Sequence, residues 1–308
     1  MRLTLLCRFQ KLAVLIFLVS FCTTNASSQD GVPPTVVDAF SACMVEFGWS
    51  DKGKIDSIFK FEIQKFPSIQ SGDEKLYVLE SDLLLTEPEA VEFLWDLRCS
   101  DMGKAVVKHL DPELLIAVHN GNVSVWPKKI KYIAYKIRTS DFNSTENLAL
   151  QEAMDEATKD WNNACQKCDI HFVQAKSKDD STVTFEVIKE YTDAFEAAAF
   201  FPHTEENRRF LRISPNFFKK NREKAGIIRH EFGHILGYKH EHYRVNGSGG
   251  NIPFHSKICK YTNSEWVPVT KYDPFSVMHY LCYPGGTRSL KISDIDKKGH
   301  TLTYGVDN

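Results

Sequence analysis

What this chain of 308 residues lacks narrows its function before any motif is read. It has almost no net charge: 38 basic against 40 acidic side chains leave a formal −2, with the two signs interspersed. Binding nucleic acid or an anionic membrane surface requires a concentrated basic face, so neither is expected as a partner. After the first 26 residues no run is apolar enough to cross a bilayer. Internal repeats and low-complexity segments are missing too, which leaves ordinary globular domains with room for one large core or two modest ones.

The amino terminus is the exception to that even composition. Arg2, Arg8 and Lys11 precede the apolar run Leu12 to Val19, and Thr24-Asn25-Ala26 supplies small residues at a cleavage point after Ala26. Residues 1–26 therefore read as a secretory signal peptide, the rival being an uncleaved anchor for which the run is short. The expectation is a secreted, extracellular protein.

Cysteine usage agrees. Cys7 and Cys22 would leave with the signal, and the remaining Cys43, Cys99, Cys165, Cys168, Cys259 and Cys282 form an even set suited to an oxidising compartment. Spacing alone does not determine pairing; the preferred arrangement joins Cys43 to Cys99, Cys165 to Cys168 and Cys259 to Cys282. The C-x-x-C of Cys165 and Cys168 has no second copy to complete a zinc knuckle, and reads as a local staple. Asn122, Asn143 and Asn246 stand in glycosylation triplets.

Against this background one stretch carries chemistry: His230-Glu231-Phe232-Gly233-His234-Ile235-Leu236-Gly237-Tyr238-Lys239-His240-Glu241. On a helix His230 and His234 stand one turn apart on the same face, so both imidazoles can reach one cation, with Glu231 beside them. Gly237 can take a positive φ and end the helix, after which His240 can swing back as third ligand. His242, two residues on, competes for that place, but His240 holds the motif spacing. Three neutral imidazoles leave a fourth tetrahedral position for water, the pattern of a catalytic zinc, and Glu231 is placed to take that water's proton. One zinc per chain is expected.

Downstream, Ser276-Val277-Met278-His279-Tyr280 forms a turn-rich segment with a central methionine. With the zinc stretch, it makes the chain resemble the metzincin zinc endopeptidases, most closely their astacin-like branch. The resemblance implies an α+β catalytic domain: a twisted mixed sheet, the zinc helix and a methionine turn in which Met278 packs beneath the metal. It also implies that Tyr280 stabilises the oxyanion, and that Glu241 meets the amino terminus freed on maturation. Arg244 fits the same branch, whereas Val245 and Pro274-Phe275 depart from it. The implied activity is hydrolysis of peptide bonds in protein or peptide substrates by a monomer. The competing reading is a catalytically inactive binding or coat protein on a metzincin scaffold, its zinc structural; Glu231 argues against that, because a structural site needs no base.

Residues 27–125 carry none of this chemistry. Apolar spacing predicts helices over 36–47 and 88–97 and a strand from Lys75 to Leu85, a small α+β region serving as propeptide or as a retained accessory module. Astacin propeptides carry F-x-G-D, whose aspartate replaces the zinc water; Ser71-Gly72-Asp73 matches it only in part, and Asp73 reads as a turn residue. Cys99 faintly resembles the cysteine switch of matrix metalloproteinases. The catalytic domain is expected over 126–308. Its predicted elements are a strand at Lys131 to Ile137 and a helix capped by Asn143 or Ser144 that buries Leu148, Met154, Ala157, Trp161 and Ala164. Strands at 170–173 and 182–188, a strand at 197–201 that is either an ordinary buried strand or, as the resemblance implies, the edge strand, a strand at 210–213, the zinc helix from about Ala225 and a last helix from Ser293 to Tyr304-Gly305 follow.

Overall fold

The computed structural model of the chain describes residues 57, 59–61, 63–79, 82–91, 114–119, 122–175, 181–219, 223–241, 266–279 and 286–306. Helix α1 (Ser144–Ala164) opens on a reciprocal capping box: the Asn143 side chain accepts the Glu146 N–H, and the Glu146 carboxylate accepts the Asn143 N–H. It buries Leu150, Ala153, Met154, Ala157, Trp161 and Ala164. Leu148 was expected on that face but is 62 % exposed. At about 100° per residue, position 148 lies roughly 160° from the direction of Leu150 and the rest of the stripe.

The sheet beside α1 runs β7 (His171–Gln174), β6 (Tyr132–Ile137), β8 (Thr182–Lys189), β10 (Phe210–Ile213), β9 (Ala197–Ala198). All neighbours are parallel except β9, which runs antiparallel at one edge and makes the sheet mixed. Alternation along β8 sends Val183, Phe185 and Val187 into the core. The edge strand is two residues long rather than the expected five. Phe200 and Phe201, just beyond it, enter two different apolar clusters, and a chain that divides its side chains between two cores leaves the ladder.

Helix α2 (Lys224–Ile235) lies against α1 and is buried along its length from Ala225 onward. A fully buried helix must settle its terminal carbonyls without water. Here Tyr238 N–H bonds to Gly233 O and Gly237 N–H to His234 O, a Schellman end made possible by Gly237 at φ +96°. The Trp126 indole N–H donates to Ile235 O at 2.7 Å and the Tyr304 hydroxyl to Leu236 O at 2.6 Å. Upstream, Trp161 donates to Arg229 O. Tyr304 belongs to helix α3 (Asp294–Tyr304), which has its own capping box on Ser293 and Asp296.

Two smaller sheets complete the described fold. β1 (Ser68–Ser71), β2 (Glu74–Leu79) and β3 (Leu83–Leu85) form an antiparallel meander, so the single strand expected over 75–85 is a hairpin with a turn at Asp82. β4 (Leu114–His119) pairs antiparallel with β5 (Asn122–Val123) on one side and β11 (Trp266–Val269) on the other. Residues 87–91 are helical; the helix expected over 36–47 lies outside the described residues. Cys165 and Cys168 are disulfide-bonded just after α1, while Cys43, Cys99, Cys259 and Cys282 lie outside the described residues. No helix among the described residues is long and apolar enough to cross a membrane.

His300 on α3 is buried and meets the Tyr238 hydroxyl through Nδ1 at 2.8 Å; burial, then the charge of His171, pushes it down to about 3. A histidine with a folded pKa below its ordinary 6.5 binds fewer protons folded than unfolded. Its contribution is therefore complete above pH 6.5 and is lost as the pH falls from there toward 3. Thermal melts across that window should show this loss at about 1.4 kcal/mol per pH unit. His300→Gln should be less stable at pH 7 but show a shallower fall on acidification; an unchanged slope would remove the role.

Candidate metal centre

The end of α2 explains how three histidines from one short stretch come to face each other. His230 and His234 project from successive turns of the helix. Their Nδ1 atoms bond to backbone carbonyls, His230 to Val277 O and His234 to Tyr238 O, each at 2.8 Å. A ring that donates from Nδ1 presents the lone pair of Nε2, so the two carbonyls fix the tautomer as well as the orientation. After the Gly237 turn the chain reverses, and His240 Nε2 stands 3.1 Å from both His230 Nε2 and His234 Nε2. Burial pushes His234 down to about 4, which keeps it in the neutral form that binds metals.

A fourth donor comes from far away in sequence. Asp82, in the turn between β2 and β3, places Oδ2 3.2 Å from His240 Nε2, 3.3 Å from His230 Nε2 and 3.8 Å from His234 Nε2. Burial alone would raise its pKa, but the charge of His240 and hydrogen bonds to the three imidazoles hold it well below the usual carboxylate value. These four side chains form the single group of potential metal ligands among the described residues, and all four are buried. The donor set fits zinc: three imidazoles and a carboxylate, with separations around the roughly 3.3 Å edge of a tetrahedron whose bonds are about 2.0–2.1 Å.

Glu231 is 2 % exposed, and its Oε2 has no hydrogen-bond partner among the described residues. Burial raises its pKa well above the ordinary glutamate value, and the nearby Asp82 charge raises it further; His240 and the Ala199 N–H act in the opposite direction. A carboxyl raised above its ordinary range beside a cluster of potential metal ligands is suited to exchange a proton at that site.

The segment from Asp273 to His279 closes the site from the other side. Asp296 at the start of α3 accepts the Ser276 hydroxyl at 2.6 Å and the Val277 N–H at 2.8 Å, fixing the carbonyl that meets His230. Met278 is fully buried against α2, so close to Gly233 that a Cβ there would collide with its sulfur. Glu241, fully buried, accepts the Asp273 N–H at 2.9 Å and donates its own N–H to Met278 O. Tyr280, His242 and Arg244 lie outside the described residues. Asp73 lies in the β1–β2 turn and is not one of the four clustered ligands. Asp82 escaped the sequence reading. The signal that could have found it is an acidic residue directly before Leu83-Leu84-Leu85, where one continuous strand had been expected.

Residues 119–252, somewhat less than half of the chain, match the family model described as dual-action HEIGH metallo-peptidase. His230-Glu231-Phe232-Gly233-His234 reproduces that five-letter motif with phenylalanine in place of isoleucine. Among solved structures the chain is similar to myroilysin at 17 % identity and a TM-score of 0.42, covering 63 % of this chain and 100 % of that one. It is also similar to high choriolytic enzyme 1, a hatching enzyme zinc-protease of the medaka fish Oryzias latipes, at 20 % identity and a TM-score of 0.40, covering 59 % and 94 %. A second myroilysin structure aligns at 16 % identity and a TM-score of 0.37, covering 61 % and 89 %. No curated protein matches the chain.

The two glycines of the site should differ in tolerance. At Gly237 a side chain meets both a positive φ and the Ser124 backbone carbonyl, which cannot move away. Gly237→Ala should cost on the order of 2–3 kcal/mol in denaturant unfolding and weaken zinc binding, since it displaces the turn that returns His240. Gly233→Ala meets a thioether that can change rotamer, and should cost about half as much. Equal costs would contradict this account.

Proposed function

We propose that this chain is a secreted zinc-dependent endopeptidase of astacin-like type, and that the structure corresponds to its latent form. The observation that carries the reading is the convergence of three buried imidazole nitrogens beside a buried glutamate with an unbonded carboxylate oxygen. His230, His234 and His240 would hold one zinc per chain. Zinc in such a site supplies Lewis acidity, polarising a carbonyl and bringing the pKa of water toward neutrality. Glu231 takes a proton at its carboxylate and returns it to the leaving amine. Tyr280, by the astacin resemblance, donates its hydroxyl to the oxyanion, a contribution of up to about 3 kcal/mol judged from other oxyanion donors. Met278 supports the floor of the site against Gly233, and Glu241 holds Asp273 in place.

Asp82 supports the latency part of this reading. Its carboxylate stands where a fourth ligand would, so substrate and water are kept from the metal while the N-terminal region stays docked. That docking uses apolar clusters joining β2 and β3 to Phe195, Ala198 and Phe201, and a two-pronged Glu89–Arg208 ion pair with both contacts at 2.9 Å. Arg208 holds the Glu89 carboxyl down at about 2, although burial opposes it. The same four-ligand cluster favours a second reading, since a closed set of four donors is also how structural zinc is held. Glu231 weighs against it, because a buried, poorly bonded carboxylate is costly and contributes nothing to a structural site.

The two readings predict different variants. Metal chelation should abolish peptide hydrolysis, and added zinc should restore it. Glu231→Gln should keep zinc, as measured by metal analysis, and lose at least about three orders of magnitude in kcat against a peptide library; near-normal turnover would end the proposed mechanism. Asp82→Ala in the full chain should retain zinc through the three histidines and raise peptidase activity at least tenfold. If the fourth donor is instead structural, the same change releases zinc and lowers the melting temperature without any gain in activity.

A further inference from the structure

The expected start of the catalytic domain at Trp126 would cast off β4 and β5 with the rest of the N-terminal region. Their backbone bonds run the other way. The Ala117 N–H donates to Gly237 O at 2.8 Å, and the Lys239 N–H donates to Leu115 O at 2.9 Å, with Ile116 and Tyr238 bridged between them. Residues 237–239 are the return that carries His240 back to His230 and His234. β4 is therefore a strand laid along the turn that makes the third ligand possible. It is itself held on its far edge by β11, in the register Leu114↔Val269 to Ala117↔Trp266. Ser124, just after β5, places its carbonyl against Gly237, and its own N–H donates to Ala117 O. Leu115, Ile116 and Ala117 are almost fully buried, and Ile116 shares the main core with Trp126 and Tyr238.

The contacts of residues 57–91 are of another kind. β1, β2 and β3 pair with one another, and among the described residues the contacts of their region with the rest of the protein are made by side chains: Asp82 on the histidines, Glu89 on Arg208, Ser71 on Arg212, and apolar clusters. Surfaces joined by side chains can part with both backbones intact. Withdrawing β4 would instead break the backbone bonds it makes to Gly237 and Lys239 and its ladder with β11, and buried backbone bonds lost without replacement are costly.

We propose that β4 and β5 are permanent parts of the catalytic unit, a backbone clasp that positions His240, so that any cut whose N-terminal product can leave with metal binding and activity retained falls before Leu114. The functional consequence rests on the peptidase reading above; the metal-binding consequence does not.

The test uses the full chain with a recognition sequence for a site-specific protease inserted either between Asp111 and Pro112 or in the exposed turn between Lys128 and Lys129. After cutting, each sample is passed over a size-exclusion column. Zinc content and the rate of zinc loss to a chelator are then measured. We expect the first cut to leave zinc stoichiometric and its loss rate within about twofold of the uncut chain. The second cut should either leave the fragments associated through β4 or, where they separate, release zinc at least tenfold faster. Separation of the 129–308 fragment with zinc retained as in the uncut chain would overturn the proposal, and so would zinc loss from the first cut form as fast as from a separated 129–308 fragment. Peptide hydrolysis by the first cut form tests the peptidase reading separately: zinc held without hydrolysis counts against that reading and leaves the clasp standing.

Discussion

Everything near the metal centre depends on one constraint: two imidazoles on a helix and a third beyond its end must present their Nε2 atoms to the same point inside the protein. A helix alone supplies only the first two. The third requires the chain to turn back within a few residues, and the Schellman end with Gly237 in a left-handed conformation provides that reversal at the cost of several carbonyls that water cannot reach. Much of the surrounding structure meets that cost. Trp126 and Tyr304 take the last carbonyls of α2, His234 takes Tyr238 O, and β4 takes Gly237 O. Segments from both ends of the chain are thus brought to one helix terminus because the backbone there has few other ways to be satisfied.

Orientation of the ligands is delegated to a second layer in the same way. The carbonyl that fixes His230 belongs to Val277, whose own N–H is held by Asp296, whose position is set by the capping box of α3. Burial pushes the Asp296 carboxyl up to about 6 even though it accepts bonds from Ser276, Val277 and Ser293. The turn that carries Met278 is therefore one face of the cap on the last helix. This arrangement also explains why Met278 is tight against Gly233: the turn is anchored from behind and cannot retreat.

What could be read from the sequence was whatever depends on local spacing. The convergence of the three histidines, the glycine at the reversal, the caps at Asn143 and Ser293 and the order of strands and helices are all set by residues within a few positions of each other, where turn geometry and periodicity act directly. Leu148 is apolar like Met154 but faces away from it at about 100° per residue, so hydrophobicity and helical angle disagree there and the angle decides. Asp82 as a fourth donor and the clasp by β4 depend instead on contacts between distant segments, for which local spacing gives at most a faint signal. Asp82 is about 150 residues from the histidines it meets, as its sequence separation of 158 from His240 shows, and a single aspartate before three leucines has the appearance of any strand terminus. The partners of β4 are backbone groups, which carry no side-chain signature in any sequence.

The two N-terminal elements that reach the metal centre do so by physically different means, and the difference suits opposite tasks. In the proposed latent form Asp82 would compete with water for a position beside three imidazoles, its attachment to a docked sheet keeping the carboxylate at high effective concentration. Loosen the sheet and that advantage disappears, because an exposed aspartate elsewhere in the solvent has no preference for this site. β4 instead is paired on both edges, and its bonds to residues 237–239 are part of a ladder that must open as a unit. On the latent-form reading proposed above, side-chain docking with one carboxylate at its tip would permit departure without disturbing the three histidines. A scaffold for the third ligand must stay, and a strand whose removal would strip backbone partners from a buried turn is held by the same hydrogen-bonding requirement that shapes the metal centre itself.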